Sequence, residues 1–414
     1  MRILLITQYF DPENFKSNDI AYELAKCGHT VDALVGIPNY PEGEYYKGYG
    51  LFEKRYELVR GVNIYRCFQS PRGKKSSSLG LSLNYISFVI SAILWVLFFF
   101  AWRRKYDAII SHEPSPITQI IPAIFLGKLR KTPVYSWILD IWPDSVVSSV
   151  GEDSIIKKIL GKVTDWVYRN SDKILVSSKG MMDLVNRNQD YSNKLVYFPN
   201  WCDDILAMPK TPSVKLPAGF KIMMAGNLNE GVGVDTVIEL VDSLRDVDNL
   251  KIVFVGGGTK ENIIKRELEE RGLTNYVMTG RLPFAEMPAL YEQADAMLLT
   301  LRKTTLPHLK ATVPARMQSY MAAGKPILAM IDGCSRDIIN QSDCGFAVDA
   351  GDYKAMANLI KTYVMNNQEE FKNKGKNSRL FFEKYYQKNQ CISNLEYYLK
   401  GESVDNPPYP VPTI

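Results

Sequence analysis

The chain has 414 residues, 46% of them hydrophobic and 23% charged, the proportions of an ordinary folded protein and too apolar for a disordered one. That length suggests two domains with separate cores. A net charge of +5 argues against nucleic acid as a partner, and six scattered cysteines with no CxxC pair or histidine cluster argue against a zinc site or a disulfide framework and for a reducing compartment.

Short β-rich runs alternate with helix-length segments, which predicts α/β domains with doubly wound parallel sheets. In the first half the runs are residues 3–7, 30–35, 62–65, 108–111, 134–139 and 174–177. In the second half they are 222–225, 252–255, 277–279, 296–301 and 327–330. Residues 208–213, with Pro209 and Pro212, read as the linker. The expected division is an N-terminal domain over 1–207, a C-terminal domain over 208–370, helices over 371–400 that pack back towards the N-terminal domain, and a Pro-rich disordered tail over 401–414. Two Rossmann-like domains facing a cleft would bind ligands beyond the carboxyl ends of their strands, so the residues after each run carry the information.

No secretory h-region follows Met1, and nothing directs export. The loop after 3–7 contains no glycine, which excludes a dinucleotide fingerprint, and no Walker-type loop occurs. That loop instead offers Asp11, Glu13, Asn14 and Asn18, either an acceptor-binding loop or a solvated one.

Between Ser76 and Trp102 there is no charged residue, and Arg103, Arg104 and Lys105 follow directly. The stretch is long enough to span a bilayer, but a span would put strands of one sheet on opposite sides. Asn84, Ser87 and Ser91 fall at helical spacing and form a narrow polar stripe. A helix over about 79–104 is either buried core or a membrane-surface helix. Eleven Lys/Arg against two Glu over 45–105 favour the surface, with Leu94, Trp95, Phe98, Phe99, Trp102, Arg103 and Arg104 as the contacts.

His112 and Glu113 follow the run 108–111, and Asp140 follows 134–139, where a catalytic carboxylate would stand; Asp140 could also cap the next helix. In the second half Gly256-Gly257-Gly258 is a tight turn, and Lys303, Thr304 and Thr305 follow 296–301. Residues 312–327 read as loop, helix from Pro314, glycine stop and strand. The helix start offers free N–H groups with Arg316 one turn in, a diphosphate site in outline or a plain surface helix. Asp246-Val247-Asp248 spells a metal motif at the wrong end of its strand and reads as a turn.

The signatures Tyr9–Phe15, Gly28–Val31, Pro38–Gly43, Leu139–Ser145, Pro199–Trp201, Ala225–Asn227 and Pro314–Ile327 occur in one order, and in them the chain resembles family 4 of the GT-B glycosyltransferases. Within that family it is similar to bacterial L-fucosamine transferases of O-antigen and capsule assembly. The resemblance implies a retaining, metal-independent transferase without a cofactor. Its donor would be a UDP-sugar such as UDP-N-acetyl-L-fucosamine and its acceptor a polyprenyl-diphosphate-linked glycan. It would work at the cytoplasmic face of the inner membrane, against an anionic surface. On this resemblance Gly226, Asn227, Gly257, Arg281, Thr312, Pro314, Arg316, Ser319 and Tyr320 hold the donor. Asp140, Glu113 and Arg316 carry the chemistry, and Glu13, Asn14, Asn18, His112 and Lys303 border acceptor or sugar. Many members have two glutamates where this chain has Ala311 and Ser319, which raises a non-catalytic scaffold as an alternative, and the related GT-B epimerases raise a UDP-sugar epimerase as another.

Overall fold

The computed structural model describes residues 1–73, 77–146, 154–211 and 214–412. Lys74, Lys75 and Ser76 before the apolar helix, Pro212 and Ser213 of the expected linker, and the last two residues of the tail lie outside the described residues.

The chain folds into two compact units. The first comprises Met1–Ser177, Met181–Phe198 and Ile392–Pro408; the second comprises Ser178–Gly180, Pro199–Cys391 and Tyr409 onward. The change from one unit to the next therefore falls at Phe198, not at 207.

The first unit is an eight-stranded sheet of β1 (Arg2–Thr7), β2 (Thr30–Gly36), β3 (Tyr56–Val59), β4 (Val62–Cys67), β5 (Ala108–Glu113), β6 (Val134–Ile138), β7 (Lys173–Val176) and β8 (Leu195–Tyr197), in the order β3-β4-β2-β1-β5-β6-β7-β8. All pairings are parallel except β3 with β4. Ile and Leu fill β1, which is buried from Ile3 to Ile6, as a parallel strand covered on both faces requires. Strand β3 escapes the sequence pattern because Tyr56 and Leu58 are exposed on an edge. It turns into β4 through Arg60 (φ 48°) and Gly61 (φ 81°), both left-handed as a type I′ hairpin demands.

Three helices, Ser78–Phe98, Ile121–Arg130 and Ile155–Asn170, are laid side by side, the first packing on the second and the second on the third. The first is long and apolar enough to cross a bilayer, but β4 before it and β5 after it belong to one sheet, so it does not span. Its polar stripe faces the protein. Buried Asn84 accepts from Gln8 Nε2 at 2.6 Å and donates to the Ser70 carbonyl at 2.5 Å; the hydroxyls of Ser87 and Ser91 accept from the backbone N–H groups of Ser70 and Phe68. These bonds set the rotation of the helix and turn Leu79, Leu83, Ile86, Ile90, Leu94, Phe98 and Trp102 outward at helical spacing. Trp95 and Phe99, expected on the outer face, are half-buried instead, ringed around Tyr65 with centroids 6.1 and 5.2 Å away. Arg103 donates to the Tyr65 hydroxyl at 2.7 Å, while Arg104 is exposed.

The second unit is a six-stranded parallel sheet of β9 (Phe220–Ala225), β10 (Leu250–Val255), β11 (Tyr276–Met278), β12 (Ala296–Thr300), β13 (Ile327–Met330) and β14 (Gly345–Val348), in the order β11-β10-β9-β12-β13-β14. Strand order reverses between β9 and β12, the switch point where ligands sit in such sheets. Apolar layers cover both faces. The helices expected over 371–400 are two, Gln368–Tyr385 and Lys388–Leu399; the chain breaks at Tyr386 and Gln387, where Cys202 bridges to Gln387. The last helix enters the first unit at Ile392, with Glu396 Oε1 3.1 Å from His29 Nε2 and the Tyr398 carbonyl accepting from the Tyr135 hydroxyl. Residues 401–412 are irregular, without helix.

Asn84→Leu removes a buried donor and acceptor and strands Gln8 and the Ser70 carbonyl. The expected loss is about 1–3 kcal/mol in the first unit's unfolding transition, measured by urea titration with tryptophan fluorescence.

Candidate functional site

In the second unit a cavity of about 430 Å³ lies at the carboxyl ends of β9, β10 and β11. Its floor is backbone: Ala225-Gly226-Asn227 after β9 and Gly256-Gly257 after β10. The two loops are laced together, with Gly226 N–H donating to the Val255 carbonyl at 2.9 Å and Leu228 N–H to the Gly257 carbonyl at 3.0 Å. Gly256 has φ 126°, and a Cβ there would lie 2.1 Å from the Gly226 carbonyl oxygen, so only glycine permits this approach. The run Gly256–Gly258 is thus a close-packed turn and, through its first two residues, a cavity wall.

One side of the cavity carries Arg316 and Ser319 from the helix Ala315–Ala322, whose N-cap is Pro314 rather than a first-turn residue. Arg316 Nη1 is buried with no hydrogen-bond partner among the described residues. Arg281, exposed, lies after β11. Leu282, Phe284, Met287 and Tyr291 add an apolar part to the lining. Sequence reasoning missed this apolar wall, because a Phe-x-x-Met-x-x-x-Tyr spacing is indistinguishable from helix core. A guanidinium with one buried, unpaired nitrogen at the start of a helix suits a diphosphate, and the apolar lining suits a heteroaromatic ring.

Three expected donor contacts stand elsewhere, of which Pro314 caps the helix without lining this cavity. Tyr320 is fully buried behind the floor, its hydroxyl donating to the Ala225 carbonyl and accepting from the Ala225 N–H, both at 2.9 Å, so it fixes the floor and cannot touch a ligand. Thr312 lines a second cavity of about 290 Å³ beyond β12 and β13, with Glu230, Arg302, Thr304, Lys310 and Asp332. The loop from Gly226 to Gly231 borders both cavities. Lys303 is exposed on the loop after β12 beside Gly351. Ala311 is buried, its carbonyl accepting from the Ser178 hydroxyl at 2.6 Å. Asp246 and Asp248 are exposed before β10, at the amino end of the sheet.

In the first unit β5 runs through His112 and Glu113, so both are strand residues and fully buried instead of lining a face after the strand. His112 packs on Trp137 with ring centroids 4.8 Å apart. Burial lowers it to about 3, which keeps it neutral. Glu113 Oε2 accepts weakly from the Asp140 N–H at 3.5 Å, and its Oε1 has no partner among the described residues. Burial and the neighbouring Asp140 push Glu113 well above the usual carboxylate range. Asp140, after β6, is raised by burial to about 6, against the opposing hydrogen bond from Ser115. That bond turns its carboxylate to Ser115.

Glu13 and Asn18 brace loops. Glu13 Oε1 accepts from the backbone N–H groups of Asn39 and Tyr40, each at 2.7 Å, and Oε2 from Phe10; burial raises it to about 7. Asn18 accepts from Asp11 N–H and donates to the Glu13 carbonyl. Asn14 is exposed.

Two family models match. Residues 17–201 match the glycosyl transferase 4-like domain, and residues 213–381 match glycosyl transferases group 1. The chain is 25% identical to the "Probable glycosyltransferase WbjE" of Pseudomonas aeruginosa, over 71% of this chain and 74% of that one. It is 26% identical to the O-antigen chain mannosyltransferase C of Escherichia coli, over 70% and 74%. Among solved structures it is similar to sucrose-phosphate synthase from Thermosynechococcus elongatus (TM-score 0.71, 16% identity, 97% and 98% covered). It is also similar to Anabaena HepE in complex with UDP-glucose (TM-score 0.66, 13% identity, 97% and 100% covered).

Glu113 has its folded pKa above its unfolded one, so the folded state holds more protons and stability falls as pH rises through the ordinary carboxylate range, by about 1.4 kcal/mol per pH unit until the folded value is reached. Glu113→Gln removes this dependence. It is expected to melt higher than the wild type at mildly alkaline pH, with the gap closing in acid, as read by calorimetry.

Proposed function

From a chain whose residues 17–201 belong to the glycosyl transferase 4-like domain family and whose residues 213–381 belong to glycosyl transferases group 1, we propose a glycosyltransferase of bacterial surface-polysaccharide synthesis that takes its sugar from UDP. The observation that carries the donor is the buried, unpaired Nη1 of Arg316 in a cavity that the Gly226 and Gly256 loops, Phe284 and Tyr291 also line. Arg316 neutralises the diphosphate, the loops bring N–H groups to it, and the apolar wall takes the uracil ring. UDP-glucose bound to the similar HepE supports this choice of nucleotide.

When the bond between sugar and diphosphate breaks, the electron pair leaves with UDP. Its charge is stabilised by Arg316 and the start of the helix Ala315–Ala322, without need of a metal ion. Asp140 takes the hydrogen bond, and then the proton, of the acceptor hydroxyl; Glu113, protonated behind it, keeps a second charge out. The retained anomeric configuration, and an N-acetylated deoxyhexosamine such as N-acetyl-L-fucosamine as the sugar, rest on the sequence resemblance. The O-antigen relative supports a polysaccharide product. The outward apolar stripe of the helix Ser78–Phe98, continued by Trp102, Arg104 and Lys105, supports a polyprenyl-diphosphate-linked acceptor met at an anionic membrane surface, on the cytoplasmic face of the inner membrane.

Arg316→Ala is expected to weaken UDP binding about 10- to 100-fold by calorimetry, and unchanged affinity removes the diphosphate assignment. Asp140 accepts a proton only when ionised, so transfer should fall as pH drops through about 6. Asp140→Asn should bind UDP normally, transfer poorly and show no such limb. Mass spectrometry of transfer from a panel of UDP-sugars to short polyprenyl-linked acceptors identifies the sugar, and turnover without acceptor marks an epimerase instead.

A further inference from the structure

The apolar outer surface of the first unit does not stop at the helix Ser78–Phe98. Across the layer, Phe125 and Leu129 are exposed on the helix Ile121–Arg130, and Ile155, Ile156, Ile159 and Trp166 on the helix Ile155–Asn170, Ile155 at 73%. The last helix has three distinct faces. Thr164, Val167 and Tyr168 are buried. Ile155, Ile159 and Trp166, at spacings of four and seven, make one outer stripe, and Lys158, Lys162 and Arg169, at the same spacings, make the next. A solvated helix would carry charge on both outer stripes. Helix Glu261–Glu270 of the second unit does so, its outward Lys265, Arg266, Glu269 and Glu270 pairing along the turn.

Charge identifies what covers this face. The helices Ser78–Phe98 and Ile121–Arg130 contain no acidic residue, and Ile155–Asn170 contains only Asp165, against Lys128, Arg130, Lys157, Lys158, Lys162 and Arg169. Lys128 Nζ stands 5.6 Å from the centre of the Trp166 ring, tying the second and third helices where their basic and apolar residues meet. Basic residues interleaved with exposed isoleucine, phenylalanine and tryptophan complement an anionic lipid surface, with the apolar side chains in the acyl boundary and the cations at the headgroups.

We infer that the three-helix layer docks as one face on an anionic membrane, and that the helix Ile155–Asn170 is a second lipid-contacting helix beside Ser78–Phe98. This deepens the membrane partner proposed above and rests on that reading for the lipid alone. Two-point attachment across the layer fixes the orientation of the unit on the bilayer, which a single helix lying in the interface leaves free to roll.

The test is flotation with phosphatidylcholine vesicles containing or lacking phosphatidylglycerol. Three variants are compared with the wild type: Lys158→Glu with Lys162→Glu, Ile156→Asp with Ile159→Asp, and Leu94→Asp with Phe98→Asp. All six positions are exposed, and unchanged UDP affinity and melting show that each variant folds. Each pair on the helix Ile155–Asn170 is expected to lower partition onto phosphatidylglycerol vesicles about tenfold, with added salt weakening the wild type in the same direction. Loss confined to the Leu94/Phe98 variant overturns the second helix and leaves the first. A wild type that stays off both vesicles overturns this inference and the membrane reading together. A wild-type dimer broken by the Ile156/Ile159 variant, with vesicle binding intact, overturns it in favour of a second copy of the chain.

Discussion

A parallel sheet must be covered on both faces, because its strands alternate nothing: they are apolar above and below. That requirement governs both units. Crossover helices have to lie along each face, and their inner sides are fixed by the sheet; what remains free is the outer side. In the second unit the outer side of Glu261–Glu270 is filled with paired charge, the usual outcome for a solvated helix. In the first unit the outer layer is filled with leucine, isoleucine, phenylalanine and tryptophan. Two sheets built by one rule thus end in different outer surfaces.

The same parallelism gathers the chemistry. Every loop that leaves a carboxyl end emerges at one edge, so Gly226, Gly256 and Arg281 reach one cavity from three strands without any local sequence link. Close approach of the first two loops is possible only because Gly256 lacks a Cβ, and Tyr320 holds the floor from behind with both bonds of its hydroxyl. Among the described residues that line this cavity, Arg316 is left with a buried side-chain nitrogen unsatisfied. A polar atom withdrawn from water without a partner costs stability, so its persistence at the start of a helix, beside free N–H groups, points to a bound anion. Glu113 and Asp140 show the corresponding cost in the first unit. Two carboxyls packed at the ends of adjacent strands cannot both ionise cheaply, and the one with less compensation keeps its proton.

Eleven strands were legible in the sequence because each is a run of β-branched and aliphatic residues ended by a glycine or a polar cluster. The three that were not fail for separate reasons. Strand β3 is an exposed edge with Tyr56 and Leu58 outward, β8 is only three residues long, and β14 begins at Gly345, where a Cβ would stand 1.8 Å from the Ile327 carbonyl. Site residues divide in the same way. Arg316 follows from the position of its helix, Gly226 and Gly257 from the family resemblance, and all three line one cavity. Glu13, Asn18 and Tyr320 are polar residues near strand ends that bond to backbone, and nothing in their identity separates a brace from a contact. Phe284, Met287 and Tyr291 escaped because an apolar residue that lines a cavity has the spacing of one that fills a core.

Burial in the apolar segment was the hardest to read, since hydrophobicity is nearly uniform around Ser78–Phe98 and gives no preferred face. The polar residues decide it. An asparagine turned to hydrocarbon would leave both of its amide groups unsatisfied, whereas Asn84 turned inward meets Gln8 and the Ser70 carbonyl, and Ser87 and Ser91 satisfy the N–H groups of the irregular segment after β4. Three hydrogen-bonded positions at i, i+3 and i+7 fix the helix rotation more firmly than any difference among its leucines and phenylalanines could. The consequence reaches about six turns along the chain: with the polar stripe locked against the protein, Leu79 at one end and Trp102 at the other are held to the same outer line, and the helix presents an unbroken apolar edge because of, rather than in spite of, its few polar residues.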